Sequence, residues 1–179
     1  SQGFPDFDGP EDLLQAVNSH MRKGQNQYPP MAGVTALREA IAAKVLDLYG
    51  LACDFDTEVT VTAGATEALF CAITAIVHAG DEVIVLDPAY DSYDPVVRLQ
   101  GGVPVHIPLQ APQYRIDWDR IDAAITANTR LLILNSPHNP TGMVMDEDDI
   151  AALSALCAKN DIYLIGDEVY EHMVFDQAK

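Results

Sequence analysis

Leu131-Leu132-Ile133-Leu134-Asn135-Ser136-Pro137-His138-Asn139-Pro140-Thr141-Gly142 is the stretch that decides the fold. Four large aliphatic residues in a row, bounded by turn formers, read as a short strand buried in a sheet. The loop that follows carries two X-Pro steps within five residues, which stiffen the backbone and permit cis bonds. Downstream, Glu147 to Lys159 has the pattern of a helix and Ile162 to Ile165 that of another strand. Upstream the same beat repeats. Glu82 to Leu86 reads as strand and Tyr93 to Gln100 as helix, ended by Gly101-Gly102, with Val103 to Ile107 a short strand after it. Earlier still, Glu58 to Thr62 reads as strand and Thr66 to His78 as helix, ended by Gly80. Such alternation predicts an α/β fold, a mostly parallel sheet flanked by helices. Right-handed crossovers leave few other layouts, so residues 82–86, 131–134 and 162–165 are expected in one sheet with helices on both faces.

Toward the amino end the pattern changes. Residues 1–33 are punctuated by glycines and prolines around one helical stretch, Glu11 to Met21. Thr35 to Tyr49 then carries an apolar stripe of Leu37, Ile41, Val45 and Leu48, stopped by Gly50, which predicts a helix. With 179 residues, 49% hydrophobic and 21% charged, the composition is that of an ordinary globular domain. There is no apolar run of the roughly 18 residues that suggest a membrane span. The formal net charge of −17 repels phosphate backbones, and no basic patch offsets it, so neither nucleic acid nor membrane is an expected partner. The acids, Asp146 to Asp149 among them, are expected mostly on a solvated surface. Cys53, Cys71 and Cys157 lack any C-x-x-C spacing, and buried free thiols in a reducing, cytoplasmic compartment are expected. The chain starts without methionine and ends just past an apolar segment, so a cut from a longer protein is expected.

In parallel sheets ligands gather beyond the carboxyl ends of the strands. After the first expected strand comes Ala63-Gly64-Ala65-Thr66, where small residues before a helix make either a tight turn with an N-cap or an anion cradle. After the second comes Asp87-Pro88-Ala89-Tyr90, which places Tyr90 either at the rim of the core or over a flat ligand. The Asn135 to Gly142 loop would aim the Asn139 side chain as a donor, while His138 reads as a solvated loop histidine. After the last strand comes Gly166-Asp167-Glu168-Val169-Tyr170. Asp167 there is either a helix cap or a carboxylate facing the same pocket as Tyr170.

These four strand ends supply a phosphate cradle, a stacking ring, an amide donor and a carboxylate. Asn139-Pro140-Thr141-Gly142 and Asp167-Glu168-Val169-Tyr170, at their separation, resemble the class I/II, fold-type I aminotransferases, which use pyridoxal 5′-phosphate (PLP). Similarity looks greatest to the methionine and kynurenine/glutamine aminotransferases, through Gln2-Gly3-Phe4-Pro5-Asp6-Phe7 and Asn26-Gln27-Tyr28. The resemblance implies that the Ala65 and Thr66 amides bind the cofactor phosphate and Tyr90 stacks on its ring. Asn139 and Tyr170 would reach its 3-hydroxyl oxygen, and Asp167 would pair with the ring nitrogen. Gly3 would offer its N–H to the substrate carboxylate, and Tyr28 would cross a homodimer interface toward the partner's phosphate. No metal is implied.

Further expectations follow from the same resemblance. Residues 1–33 would be the arm and a small-domain portion, and residues 34–179 the first part of the PLP-binding large domain. The family's Schiff-base lysine lies beyond the Asp-x-x-Tyr motif, so no catalytic residue is assigned here and these 179 residues alone are expected to be inactive. The implied reaction moves an amino group between an amino acid (methionine, glutamine, kynurenine or another neutral or aromatic one) and a 2-oxo acid. A PLP lyase or synthase of the same fold, or an aminotransferase-like effector domain of a regulator, remains open.

Overall fold

The computed structural model describes residues 6–173 and 175. The chain divides after Val61 into two compact units. The first holds α1 (Glu11–Arg22) and α2 (Thr35–Tyr49). In α1, Glu11 and Asp12 occupy the first turn and His20 and Arg22 the last, an order that suits the helix dipole. None of its residues is buried. Gly50, at φ 68°, ends α2 in a left-handed cap whose N–H donates to the Leu46 carbonyl. The apolar stripe expected of α2 is only partly covered: Ile41 and Val45 are half-buried, whereas Leu37 and Leu48 stay exposed.

The one buried residue of α2 is Arg38. Its guanidinium donates to the Phe55 carbonyl (3.1 Å) and to Asp56 Oδ1 (3.3 Å), and lies 5.9 Å from the Phe55 ring centroid. Gly33 is required where it stands, because a Cβ there would fall 2.6 Å from Val61 Cβ and its φ is 102°.

Residues 58–62 correct the sequence reading. They are not a strand among the described residues; the Val61 N–H instead donates to the Ala32 carbonyl at 3.0 Å. Apolar–polar alternation reports a tendency to extend, but a ladder also needs a neighbouring strand in register.

The second unit begins with α3 (Ala65–Ile76) and continues β1 (Glu82–Asp87), α4 (Tyr93–Leu99), β2 (Val103–Pro108), α5 (Trp118–Ala124), β3 (Thr129–Asn135), α6 (Glu147–Asn160) and β4 (Tyr163–Asp167). The strands form one parallel sheet in the order β2-β1-β3-β4, as expected for 82–86, 131–134 and 162–165. Strand alternation splits the core in two. Ile84, Leu86, Leu132 and Leu134 face a cluster with Ile121 of α5 and Leu153 and Leu156 of α6. Val83, Val85, Leu131 and Ile133 face Leu69 and Ile73 of α3 and Tyr93 and Val97 of α4. Helices therefore cover both faces. The outer strand β4 is the least covered, with Tyr163 and Leu164 both exposed.

The short helix α5 has no counterpart in the sequence reading. Asp117 caps it by accepting from the Arg120 N–H at 3.0 Å, and Ile121 is its only buried residue. Two surface expectations also change. Asp146 and Asp149 form a reciprocal capping box on α6, and Asp149 is buried with its Oδ1 accepting from Trp118 Nε1 at 2.9 Å. The three cysteines are free, but Cys71 is exposed and Cys53 and Cys157 are only half-buried, so none is a core thiol.

Candidate active site

β1, β3 and β4 are neighbours in the sheet and end at Asp87, Asn135 and Asp167, so three loops leave one edge together. Asn135 and Asp167 are direct partners in the ladder. The Asn135 side chain is buried and spends both of its ends on backbone. Its Nδ2 donates to the Asp167 carbonyl (2.7 Å), and its Oδ1 accepts from the Asn139 N–H (2.6 Å). The strand end thus fixes the start of the next loop. That loop is closed by the Gly142 N–H on the His138 carbonyl (2.7 Å) and by the His138 N–H on the Met143 carbonyl (2.8 Å). Ser136-Pro137 and Asn139-Pro140 are both cis.

His138 is not the solvated histidine that the sequence suggests. It is buried, its Nδ1 is 2.7 Å from Thr141 Oγ1, and burial holds its pKa below the ordinary 6.5. Its role in the loop is structural.

The carboxylate of Asp167 is held by two donors. Tyr93 donates its hydroxyl to Oδ2 at 2.6 Å, and the Val169 N–H donates to Oδ1 at 3.3 Å. Burial first, and then the bond to Asp167, push the Tyr93 phenol far above its usual range, so it remains a proton donor. No helix follows β4 among the described residues, so Asp167 is not a helix cap.

Tyr90 meets Tyr93 edge to face, with centroids 5.7 Å apart, and its hydroxyl lies 3.2 Å from Thr66 Oγ1. α3 starts after Gly64, at φ 85°, with no side chain capping it. The first-turn amides of such a helix have no acceptor of their own, which is what an anion requires.

Ala65, Thr66, Tyr90, Asn139, Asp167 and Tyr170 come together on one open cleft of about 160 Å³, with Leu69, Asn135 and Val169 completing its wall. Tyr28 belongs to the first unit and is fully exposed. Gly3 lies outside the described residues. Sequence reasoning missed Asn135 and Tyr93. A lone asparagine ending a four-residue aliphatic run was the signal for the first. For the second it was another tyrosine three residues after Tyr90, at the start of the expected helix.

The donor set fits PLP. An uncapped helix start with a threonine hydroxyl suits a phosphate, an edge-on tyrosine pair suits a flat ring, and a carboxylate held from behind suits a ring N–H⁺.

The model of the family "Aminotransferase class I and II" matches residues 1–179. The chain belongs to that family. Its members are PLP-dependent. The chain is 54% identical to a methionine aminotransferase of Escherichia coli over 99% of its own length and 46% of that protein. A solved E. coli structure with a methionine aminotransferase function superposes with a TM-score of 0.96 at 54% identity, over 99% of this chain and 47% of that one. The N-succinyldiaminopimelate aminotransferase of Mycobacterium tuberculosis gives a TM-score of 0.96 at 46% identity, over 99% and 47% of the two chains. A Thermus thermophilus aspartate aminotransferase in complex with maleate gives 0.93 at 41% identity, over 98% and 46%. The chain therefore spans about half the length of the relatives it matches.

Proposed function

We propose that the whole protein transfers an amino group between an amino acid and a 2-oxo acid, with PLP as cofactor, as a homodimer in the cytoplasm. The single observation that carries this is the Asp167 carboxylate. It stands at the end of a parallel strand, accepts from a buried tyrosine, and lines a cleft that an uncapped helix start also lines. When bound, PLP supplies a ring that takes up the electron pair released at the substrate Cα.

The chain's own residues would hold and tune it. The amides of Ala65 and Thr66 would take the phosphate, and the Tyr90 ring would cover one face. Asn139 and Tyr170 would donate to the 3-oxygen. Asp167 would keep a proton on the ring nitrogen, and the Tyr93 hydroxyl would fix the carboxylate's orientation while it does so. Gly3 would bind the substrate carboxylate, and Tyr28 would reach the phosphate of a second copy. The fully exposed apolar residues Tyr28 and Met31 of the first unit support the homodimer, since they gain by being covered. Methionine is the first donor to test, given the E. coli relative, with other neutral or aromatic amino acids next.

The experiment is an assay of the full-length protein with PLP, methionine and a range of 2-oxo acids. Formation of the matching oxo acid and new amino acid in equal amounts is the expected result. Release of ammonia and a thiol instead would identify a lyase, and a protein that neither binds PLP nor turns over would end this reading.

A further inference from the structure

His106 stands on β2, outside the cleft, yet it touches both ends of the loop that forms the tyrosine wall. Its Nδ1 is 3.0 Å from Asp87 Oδ1 and its Nε2 is 2.8 Å from Asp94 Oδ2. Asp87 is the last residue of β1, and Asp94 is in the first turn of α4. One ring therefore bridges the two ends of the segment that carries Tyr90 and Tyr93. A carboxylate can only accept, and a neutral imidazole has a single N–H. Both contacts are hydrogen bonds only when the ring carries two protons.

Strand alternation sets the other charged groups around it. β2 turns Ile107 and Leu109 toward the α5 and α6 core, so His106 faces the opposite side, where α4 packs. The charged groups facing it there are Asp87, Asp94 and, behind Asp94, Arg98. The Arg98 guanidinium grips both oxygens of Asp94 at 2.5 and 3.1 Å.

We propose that His106 is a positioning residue for the site: by clamping Asp87 to Asp94 it fixes the loop that presents Tyr90 to the cofactor ring and Tyr93 to Asp167. This rests on the reading of the cleft as a PLP site. The wall's own side-chain hydrogen bonds, Tyr90 to Thr66 and Tyr93 to Asp167, reach across to other elements. Within the loop the Tyr93 N–H reaches the Tyr90 carbonyl at 3.3 Å, and the clamp ties the loop's two ends to one ring on β2. A deprotonated ring keeps one bond and turns a lone pair toward the other carboxylate, which opens the loop at one end. The bond to Asp87, and then that to Asp94, hold the ring's pKa above its ordinary 6.5, so the clamp outlasts the pH at which a free imidazole gives up its proton and weakens as the ring deprotonates.

The test uses the full-length protein and PLP itself. The Kd for PLP is measured from about pH 6 to about pH 9 in wild type and His106→Gln. PLP and its other contacts titrate alike in both proteins, so the difference between the curves isolates the ring. The wild type is expected to lose affinity on the alkaline side by about fivefold more than the variant, which binds weakly throughout. Superimposable curves would overturn the proposal. Should His106→Gln fail to fold, NMR titration of the wild-type ring and the Kd of Asp94→Asn decide instead. A ring that titrates above 6.5, together with several-fold weaker PLP binding by Asp94→Asn, supports the clamp. A ring that titrates at or below 6.5 sinks it. Wild-type protein that binds no PLP at any pH fails differently: it removes the cofactor reading, and the clamp's role goes with it.

Discussion

The two units of the chain bury different things. In the second, nine large side chains from the sheet and its helices are essentially sealed from water among the described residues, and all are aliphatic, Ile73, Leu131 and Leu132 among them. In the first, α1 buries nothing and α2 buries only an arginine. Arg38 is held by carbonyls, a carboxylate and a ring face, and its Nε is buried with no partner. An aliphatic core stabilises whatever surrounds it, whereas a buried cation is stable only while its partners stay in place. The difference teaches where chemistry can be mounted. A carboxylate to be held within fractions of an ångström needs neighbours fixed by that core, and Asp167, although it ends the exposed outer strand β4, is held by the buried Tyr93 and Asn135.

The largest effect should come from testing that placement. Asp167→Asn in the full-length protein is expected to lower kcat/KM by about 10²–10³-fold, the scale for removing one preorganised charge from a reacting centre. PLP should still bind, because the amides of Ala65 and Thr66 are untouched. Tyr28→Phe, in the first unit, is expected to do far less, since it removes one neutral hydroxyl from the proposed phosphate contacts and leaves the Ala65 and Thr66 amides in place. Steady-state kinetics of the two variants side by side would break the comparison if their order were reversed.

Next in size is a pair of leucines. Leu132→Ala opens a hole between the sheet and α5 and α6 and should cost about 3 kcal/mol in denaturant unfolding. Leu13→Ala, on the exposed face of α1, should fall within about 0.5 kcal/mol of zero. A Leu13 effect as large as that of Leu132 would show that α1 is covered in the working protein, and would make the first unit a core in its own right. Smaller again is Tyr93→Phe, which removes the donor behind Asp167 without changing the ring's packing. A hydrogen bond to a charged group is worth about 1.5–3 kcal/mol, so a drop of about tenfold or somewhat more in kcat/KM is expected. Its unfolding midpoint should move less than that of Leu132→Ala.

Much of the second unit could be read from the sequence because β1 and β3 are short aliphatic runs, each followed by a helix. The runs at 83–86 and 131–134 are buried on both faces, as in a parallel sheet with two covers. The segment 58–62 misled for the converse reason: its composition favours extension, but a strand is a relation between two segments, and alternation shows only one of them. α5 is short, with one buried residue, so no stripe could announce it. In the site, residues in punctuated loops after strands stood out, whereas Tyr93 and Asn135 did not. Both act through regular elements, where a tyrosine or an asparagine looks like packing or a strand terminator. His106 is harder still, because its meaning depends on two acids 19 and 12 residues away that only the fold brings to its ring.

The smallest expected effect concerns His138 and has a sign that can be worked out. Burial lowers its pKa, so in the folded protein it stays neutral to lower pH than the ordinary 6.5 at which it titrates in the unfolded chain. Between those two values the unfolded chain binds more protons, and stability falls as pH falls. Above 6.5 the group has no effect on the slope. The carboxylates whose pKa is lowered act elsewhere: Asp54, Asp94, Asp122 and Asp146 start from 3.8, so their stabilisation is full above that value and is lost only below it. His106 acts with the opposite sign. Its pKa is raised, so its contribution is full below 6.5 and is lost as pH rises through the folded value. The stretch from 6.5 down toward 3.8 is therefore where His138 shows by itself. Urea midpoints taken through it should slope downward toward acid in the wild type and run flatter in His138→Gln, even though that variant starts about 1 kcal/mol less stable from lost packing. Parallel slopes in the two proteins would mean that the His138 ring is wet, and that the Asn135–Gly142 loop is looser than the strand it follows.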